Sequence, residues 1–221
     1  MKRKVSLEEI SDGRLYSSND MVKADCGGCT GCSTCCHGMG SSIILDPMDL
    51  VRLTEGTGSR AEQLLAEGYV ELNVVDGVIL PNLKMAGESE ACAFLNGEGR
   101  CSIHPFRPGI CRLFPLGRYY EDGKFQYFLQ VHECPRPNKT KVKVRRWIDT
   151  PDLQQYETYI ADWHYFLEDT EKYLEQMTQE EQIKNVNLYI LKLFYLKPYH
   201  SLETFYAEFY ERLKQAKEVM E

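Results

Sequence analysis

Five of the nine cysteines in this 221-residue chain fall within eleven residues: Cys26, Cys29, Cys32, Cys35 and Cys36. The rest of that stretch is Gly, Ser and Thr, a loop composition with no apolar surface to bury. Such a segment needs an external agent to order it, and a thiol-bound metal is the natural one, because metal binding and folding are then one free energy. A disulfide framework belongs to short secreted chains, and here the cysteine count is odd. One isolated cysteine reads as a small buried hydrophobe. Five so close together do not.

The bulk properties narrow the class further. A net charge of −7 with 43% apolar residues describes an ordinary acidic globular chain. That balance argues against general nucleic-acid or anionic-membrane binding, both of which need a positive field. No apolar run approaches the ~20 residues that span a bilayer. The segment from Met1 to Ile10 is basic and then acidic, without an apolar core, so the expected address is the cytoplasm and not a secretory route.

Along the chain three regions are expected. Residues 1–25 are polar, mixed in charge and without a clear period, and read as an N-terminal arm. Residues 26–150 read as a cysteine-cluster metal-binding domain, and residues 151–221 as a helical segment packed on it. Within the domain, Asp46 is placed to N-cap a helix with Pro47 in its first turn, running to about Leu53 and stopped by Gly56 and Gly58. Ser59 to Glu62 reads as a capping box for a second short helix ending at Gly68. Asp76-Gly77 predicts a hairpin between Tyr69–Val75 and Val78–Leu80, and Asp122-Gly123 a second one between Leu116–Tyr120 and Phe125–Val131. Ala93 to Leu95 reads as a short strand. Lys139, Lys141, Lys143 and Arg145 alternate with other residues as on a strand with one basic face. A solvated face is the expectation there, with an acidic partner as the alternative. Beyond Pro151, aromatic residues at helical spacing (Tyr156, Tyr159, Trp163, Phe166, then Phe205 and Phe209) predict about three helices with a packed core, over roughly Asp152–Met177, Thr178–Leu196 and Ser201–Val219. The fold class is therefore α+β: a small, loop-rich, metal-stapled domain of short hairpins and helices, followed by the helical segment.

The cysteines form two groups. In the first, Cys26-x2-Cys29-x2-Cys32-x2-Cys35-Cys36, each C-x2-C step returns a sulfur to the same centre. In extended chain the adjacent Cys35 and Cys36 would point to opposite sides, so either they serve two centres or only one is a ligand. The second group is Cys92, Cys101 and Cys111, with Cys134 beyond. Arg107 and Arg112 stand beside these thiols, where a guanidinium would offset the charge of an all-thiolate centre and donate to sulfur. His37, His104 and His132 lie close to cysteines in sequence and are expected as hydrogen-bonding neighbours. His164 and His200 are expected to be structural or exposed. No phosphate loop, nucleophile elbow or paired-carboxylate signature is present.

Taken in order, Cys29-x2-Cys32-x2-Cys35-Cys36, the segment Ile43 to Leu53, Cys92-Ala93-Phe94-Leu95, and Cys101-x-Ile103-His104-x2-Arg107-Pro108-x2-Cys111-Arg112-x-Phe114-Pro115 resemble the YkgJ-type cysteine-cluster family. The resemblance covers about residues 26 to 135. It implies Cys29, Cys32, Cys35, Cys36, Cys92, Cys101, Cys111 and Cys134 as metal ligands, with Cys26 an addition to the usual pattern. It also implies zinc or iron as the metal. The three C-x2-C steps favour an iron–sulfur cluster, while the scattered second group suits structural zinc equally well. The expected function is a metal-binding protein with a redox role. The rivals are a metal-dependent modifying enzyme, such as the lysine methylases among the family's relatives, and an interaction module shaped by structural zinc. No S-adenosylmethionine motif is recognisable. A protein partner is allowed; nucleic acid and membrane are not expected.

Overall fold

The computed structural model of the chain describes residues 6–27 and 32–220. It is an α+β structure of short helices and small antiparallel sheets with a helical C-terminal segment. The first elements are α1 (Leu7–Ile10), β1 (Ser11–Tyr16), β2 (Met21–Asp25), α2 (Pro47–Thr57) and α3 (Ala61–Ala66). There follow β3 (Val70–Val75), β4 (Val78–Leu83), β5 (Met85–Ala86), β6 (Ala91–Cys92) and α4 (Gly109–Leu113). The chain continues through β7 (Leu116–Glu121), β8 (Lys124–Gln130), β9 (Thr140–Lys143) and α5 (Val144–Ile148). It ends in α6 (Leu153–Glu175), α7 (Glu180–Leu191), a π-helical turn at Lys192–Leu196, and α8 (Phe205–Met220). Among the described residues no helix is long and apolar enough to cross a membrane.

The chain divides into two compact units, each assembled from discontinuous segments. The first comprises residues 1–39, 85–102 and 109–162; the second comprises 40–84, 103–108 and 163–221.

In the first unit, β1, β8 and β7 form a three-stranded antiparallel sheet, and β2 pairs with β9 in a separate ribbon. The β7–β8 hairpin turns at Asp122 and Gly123, both at positive φ (49° and 76°), as the sequence predicts for a tight turn of this type. Residues 11–25, read from sequence as an arm, supply β1 and β2. Their strand character comes from pairing, with Tyr16 opposite Tyr127 and Val22 opposite Val142, and not from any local alternation in Ser11 to Tyr16. Tyr16, Val22, Ala24, Leu113, Leu116, Tyr127, Leu129, Val144 and Ile148 make the core.

In the second unit, Asp46 caps α2 by accepting from the Asp49 amide (2.9 Å), and Asp49 returns the bond to the Asp46 amide (3.3 Å). The helix runs a turn past Leu53 and ends at Gly58, whose φ of 72° makes the left-handed cap that glycine adopts without a Cβ penalty. Before α3 the cap is one residue later than expected: the Gln63 side chain accepts from the Arg60 amide (2.8 Å). The β3–β4 hairpin closes at Asp76 and Gly77. Buried Asn187 of α7 accepts from the Ile79 amide (2.6 Å) and donates to the Gly77 carbonyl (3.2 Å), fastening hairpin to helix. Phe166, Phe194, Phe205, Phe209, Leu45, Leu53, Leu64 and Leu83 form the fully buried interior, as the aromatic spacing predicts.

Candidate metal centre

The loop composition of Cys26 to Cys36 is resolved at its end into a single 3-10 turn, Thr34–Cys36. The Cys36 amide donates to the Ser33 carbonyl (2.8 Å) and the His37 amide to the Thr34 carbonyl (3.3 Å). Immediately afterwards the chain lies against β6: His37 bridges Ala91, and the Gly38 amide donates to the Glu90 carbonyl (2.9 Å). His37 Nδ1 stands 3.4 Å from the Ser89 carbonyl, a neighbour's role on backbone. That pairing sets Cys35 and Cys36 beside Cys92.

A tight loop then delivers Cys101. The Leu95 amide donates to the Cys92 carbonyl (2.8 Å), which turns the chain where sequence suggested a strand over Ala93 to Leu95. The Asn96 carboxamide accepts from the amides of Glu98 (3.1 Å) and Arg100 (2.8 Å), closing the Asn96–Arg100 loop. Leu95 bridges Cys101, and the Ser102 amide and hydroxyl both donate to the Phe94 carbonyl (2.9 Å each). Three chain segments are thereby brought together by backbone hydrogen bonds, with a thiol on each.

The electrostatics register that gathering. The Cys36 thiol is held far above its ordinary value, first by its hydrogen bond with Cys35 and by burial, then by the charges of Cys35, Cys101 and Cys92. Burial pushes Cys92 up as well, against a lowering bond from the Phe94 backbone, and Cys101 and Cys35 add to the rise. The Cys35–Cys36 contact has a conformational cause. On a 3-10 turn successive side chains are not held to opposite faces, so the extended-chain expectation for this pair does not apply.

A second gathering adjoins the first. Cys26, Cys32, Cys35 and Cys134 line a cleft of about 20 Å³ together with Thr34, Phe114, Pro115, Pro135, Arg136 and Trp147. Trp147 is fixed there by donating to the carbonyls of Leu113 (3.3 Å) and Phe114 (3.1 Å). Lys139 donates to the carbonyl of Cys134, another lining residue (2.7 Å). The Cys32 thiol is held below its ordinary value. The Thr34 hydroxyl at 3.4 Å and the Thr34 amide lower it, and the Arg136 guanidinium adds its charge. Cys35 takes part in both gatherings.

The remaining expected site residues fall as follows. Cys29 lies outside the described residues. Cys111 is half-buried in α4, just before the Phe114–Pro115 wall. Arg112 donates to the Asp149 carbonyl (3.1 Å). Arg107 belongs to the second unit, where it donates to the His104 ring (2.8 Å to Nε2) and carbonyl (3.1 Å). Exposed His132 is in a turn, His164 pairs with Glu168 (3.7 Å), and His200 with Glu208 (3.0 Å). Arg136, whose guanidinium reaches the Cys32 thiol, was not anticipated. Its one signal in the sequence is its position directly after Cys134-Pro135.

The donor chemistry fits zinc or an iron centre: thiols dominate, they are mutually close, and a cation would relieve the repulsion that keeps them protonated. Among the described residues no group of three or more His, Cys, Asp or Glu side chains meets the geometry of a metal site. The fit is therefore one of donor type and clustering. No curated protein and no solved structure matches the chain. A family model, CxxCxxCC, described as "Putative zinc- or iron-chelating domain", matches residues 28–135. With its ordered cysteine motifs and the thiol gathering just described, the segment 28–135 is similar to this cysteine-cluster family.

Proposed function

We propose that this protein uses the thiols of its first unit to hold a cysteine-ligated metal centre, with an iron–sulfur cluster favoured over zinc and a redox role following from it. The observation that carries the reading is the convergence of Cys35, Cys36, Cys92 and Cys101 from three backbone-bonded segments. Cys29, Cys32, Cys111 and Cys134 complete the candidate set, with Cys26 beside it as an addition the centre does not require, and Arg136 would donate to a coordinated sulfur and offset the charge of the centre. The cytoplasm is the proposed address, since reducing conditions there keep such thiols available.

The adjoining cleft is lined by Cys26, Cys32, Cys35 and Cys134, soft thiol donors suited to zinc or an iron centre. Structural zinc remains the second reading, on the observation that the thiols sit on short turns which a tetrahedral ion would staple.

Elemental analysis and a visible spectrum of protein purified without oxygen test the proposal. Iron with acid-labile sulfide, and colour that dithionite bleaches, is the expected result. Stoichiometric zinc in a colourless protein would replace the redox role with a structural one. Protein that neither retains nor takes up either metal would end the reading.

A further inference from the structure

The charge of this chain is unevenly distributed. Among the described residues the first unit carries twelve Lys and Arg against fifteen Asp and Glu, and the second eleven against seventeen. Within the first unit, five cations stand on or next to one two-stranded ribbon: Lys23 on β2, Lys141 and Lys143 on β9, and Arg145 and Arg146 at the start of α5. All five are exposed.

The arrangement follows from the pleat. Val22 and Ala24 point into the core (1% and 0% exposed), with Val142 packed beside them. The alternate positions Met21, Lys23, Lys141 and Lys143 must then face outwards. Met21 pairs with Lys143, and Lys23 and Lys141 fall in the irregular stretch between the pairs at Val22–Val142 and Asp25–Thr140. Like charges so placed repel.

The carboxylates at the two ends of β2 are engaged elsewhere. Asp20 accepts from the amide and hydroxyl of Ser17 (2.7 and 2.8 Å), and Asp25 from the Gly27 amide (2.9 Å) and the Thr140 hydroxyl (3.4 Å). Among the described residues none of the five cations makes an ion pair. Met21, 48% exposed, places a flexible apolar side chain among them. The ribbon also abuts the thiols: β2 ends one residue before Cys26, and β9 begins six residues after Cys134.

We infer that the outer face of the β2–β9 ribbon is a docking surface for an acidic protein segment bearing an apolar side chain, which it holds next to the thiol cleft. Charge complementarity selects the partner class. The local positive face attracts a short acidic segment, whereas a long nucleic acid would also meet the field of a chain at −7. Met21 supplies the apolar contact that protein interfaces favour, with the cations as a polar rim. The inference does not depend on which metal the thiols hold.

The test is fluorescence anisotropy on the full chain with a labelled acidic peptide of Glu, Asp and interspersed Leu. Duplex DNA of equal charge serves as the competing probe. Wild-type protein is expected to bind the peptide more tightly than the DNA, with affinity falling as salt rises from about 50 to about 300 mM. Combined Lys23→Glu, Lys141→Glu and Lys143→Glu changes should weaken peptide binding at least about tenfold, and Met21→Ser about threefold or more. Lys214→Glu with Lys217→Glu, on the second unit, should leave it unchanged. All these positions are on the surface, and unaltered circular dichroism confirms folding. Equal peptide binding by every variant, or tighter binding of the DNA, overturns the proposal. So does salt-dependent self-association in sedimentation that the Lys→Glu changes abolish, because the occupant would then be a second copy of this chain.

Discussion

At Cys36 a sulfur is crowded by Cys35, Cys92 and Cys101, and the proton it retains is what a metal would displace. Cys36→Ser and Cys92→Ser should therefore each reduce bound metal per chain to less than about half, together with soluble yield, since ligation and folding are coupled. Cys26 lies outside the matched residues 28–135, and Cys26→Ser should keep its metal. Metal analysis of the three purified variants decides, and unchanged content in all of them would sink the ligand set. In the second unit, Glu208 shows a residue tuned by its neighbours. Burial would raise its carboxyl, but bonds from the Thr204 hydroxyl (2.6 Å) and the His200 amide and ring, with the ring's charge, outweigh that and hold it below its ordinary 4.5. A lowered folded-state value stabilises above the unfolded value and is lost as the pH falls through the folded one. Thermal melts should therefore show wild-type stability falling below about pH 4.5, with a shallower fall in Glu208→Gln.

Single elements are secured by a few buried polar atoms. Asn187, 3% exposed, meets the Ile79 amide and the carbonyls of Gly77 and Ile183, so it docks α7 on the β3–β4 turn. Asn187→Ala leaves buried backbone groups unpaired and should cost about 2–3 kcal/mol in urea unfolding, whereas an exposed polar position would show almost nothing. The π-helical turn at Lys192–Leu196 frees carbonyls that buried Arg212 takes up, donating to those of Leu193 (2.8 Å), Lys197 (2.7 Å) and Pro198 (2.7 Å). In the three-stranded sheet, Gly117 of β7 lies opposite Phe128, and a Cβ there would come within 2.3 Å of the ring. Phe128 is itself buried, so Gly117→Ala should destabilise by about 1–3 kcal/mol, as overpacking does. Retained stability in that variant would mean that the strand shifts to make room.

For the whole molecule, the two units differ in what orders them. The second has a continuous aromatic interior, with Trp163 and Phe194 ring centroids 4.9 Å apart and Phe205 stacked on Phe209. The first holds the thiols on short turns and two-residue strands, which bury little apolar area. Stripping metal with a chelator should therefore lower amide protection around Thr34–Cys36, Ala91–Cys92 and Cys101 by about tenfold or more, while α7 and α8 stay protected. Hydrogen exchange followed by mass spectrometry reads this directly. Equal loss in both units would show that the metal is not a local staple.

The local grammar of the chain was legible without coordinates. Asp46-Pro47 started a helix, Asp76-Gly77 and Asp122-Gly123 turned hairpins, and aromatic spacing marked the C-terminal helices, because caps, turns and amphipathic periods are decided within a few residues. The cysteine pattern was equally local, and it pointed to a zinc- or iron-chelating domain of the kind whose family model matches residues 28–135. Partnership belonged to the tertiary structure. Ser11 to Tyr16 became a strand because β8 offered an edge, and Ala93 to Leu95 became a turn because its backbone bonded to Cys92. Arg136 met Cys32, more than a hundred positions away in sequence. Cys35 and Cys36 came to the same side through a 3-10 turn that no spacing rule foretells. Such contacts depend on which distant segments share a core, and a short-range pattern carries no information about that.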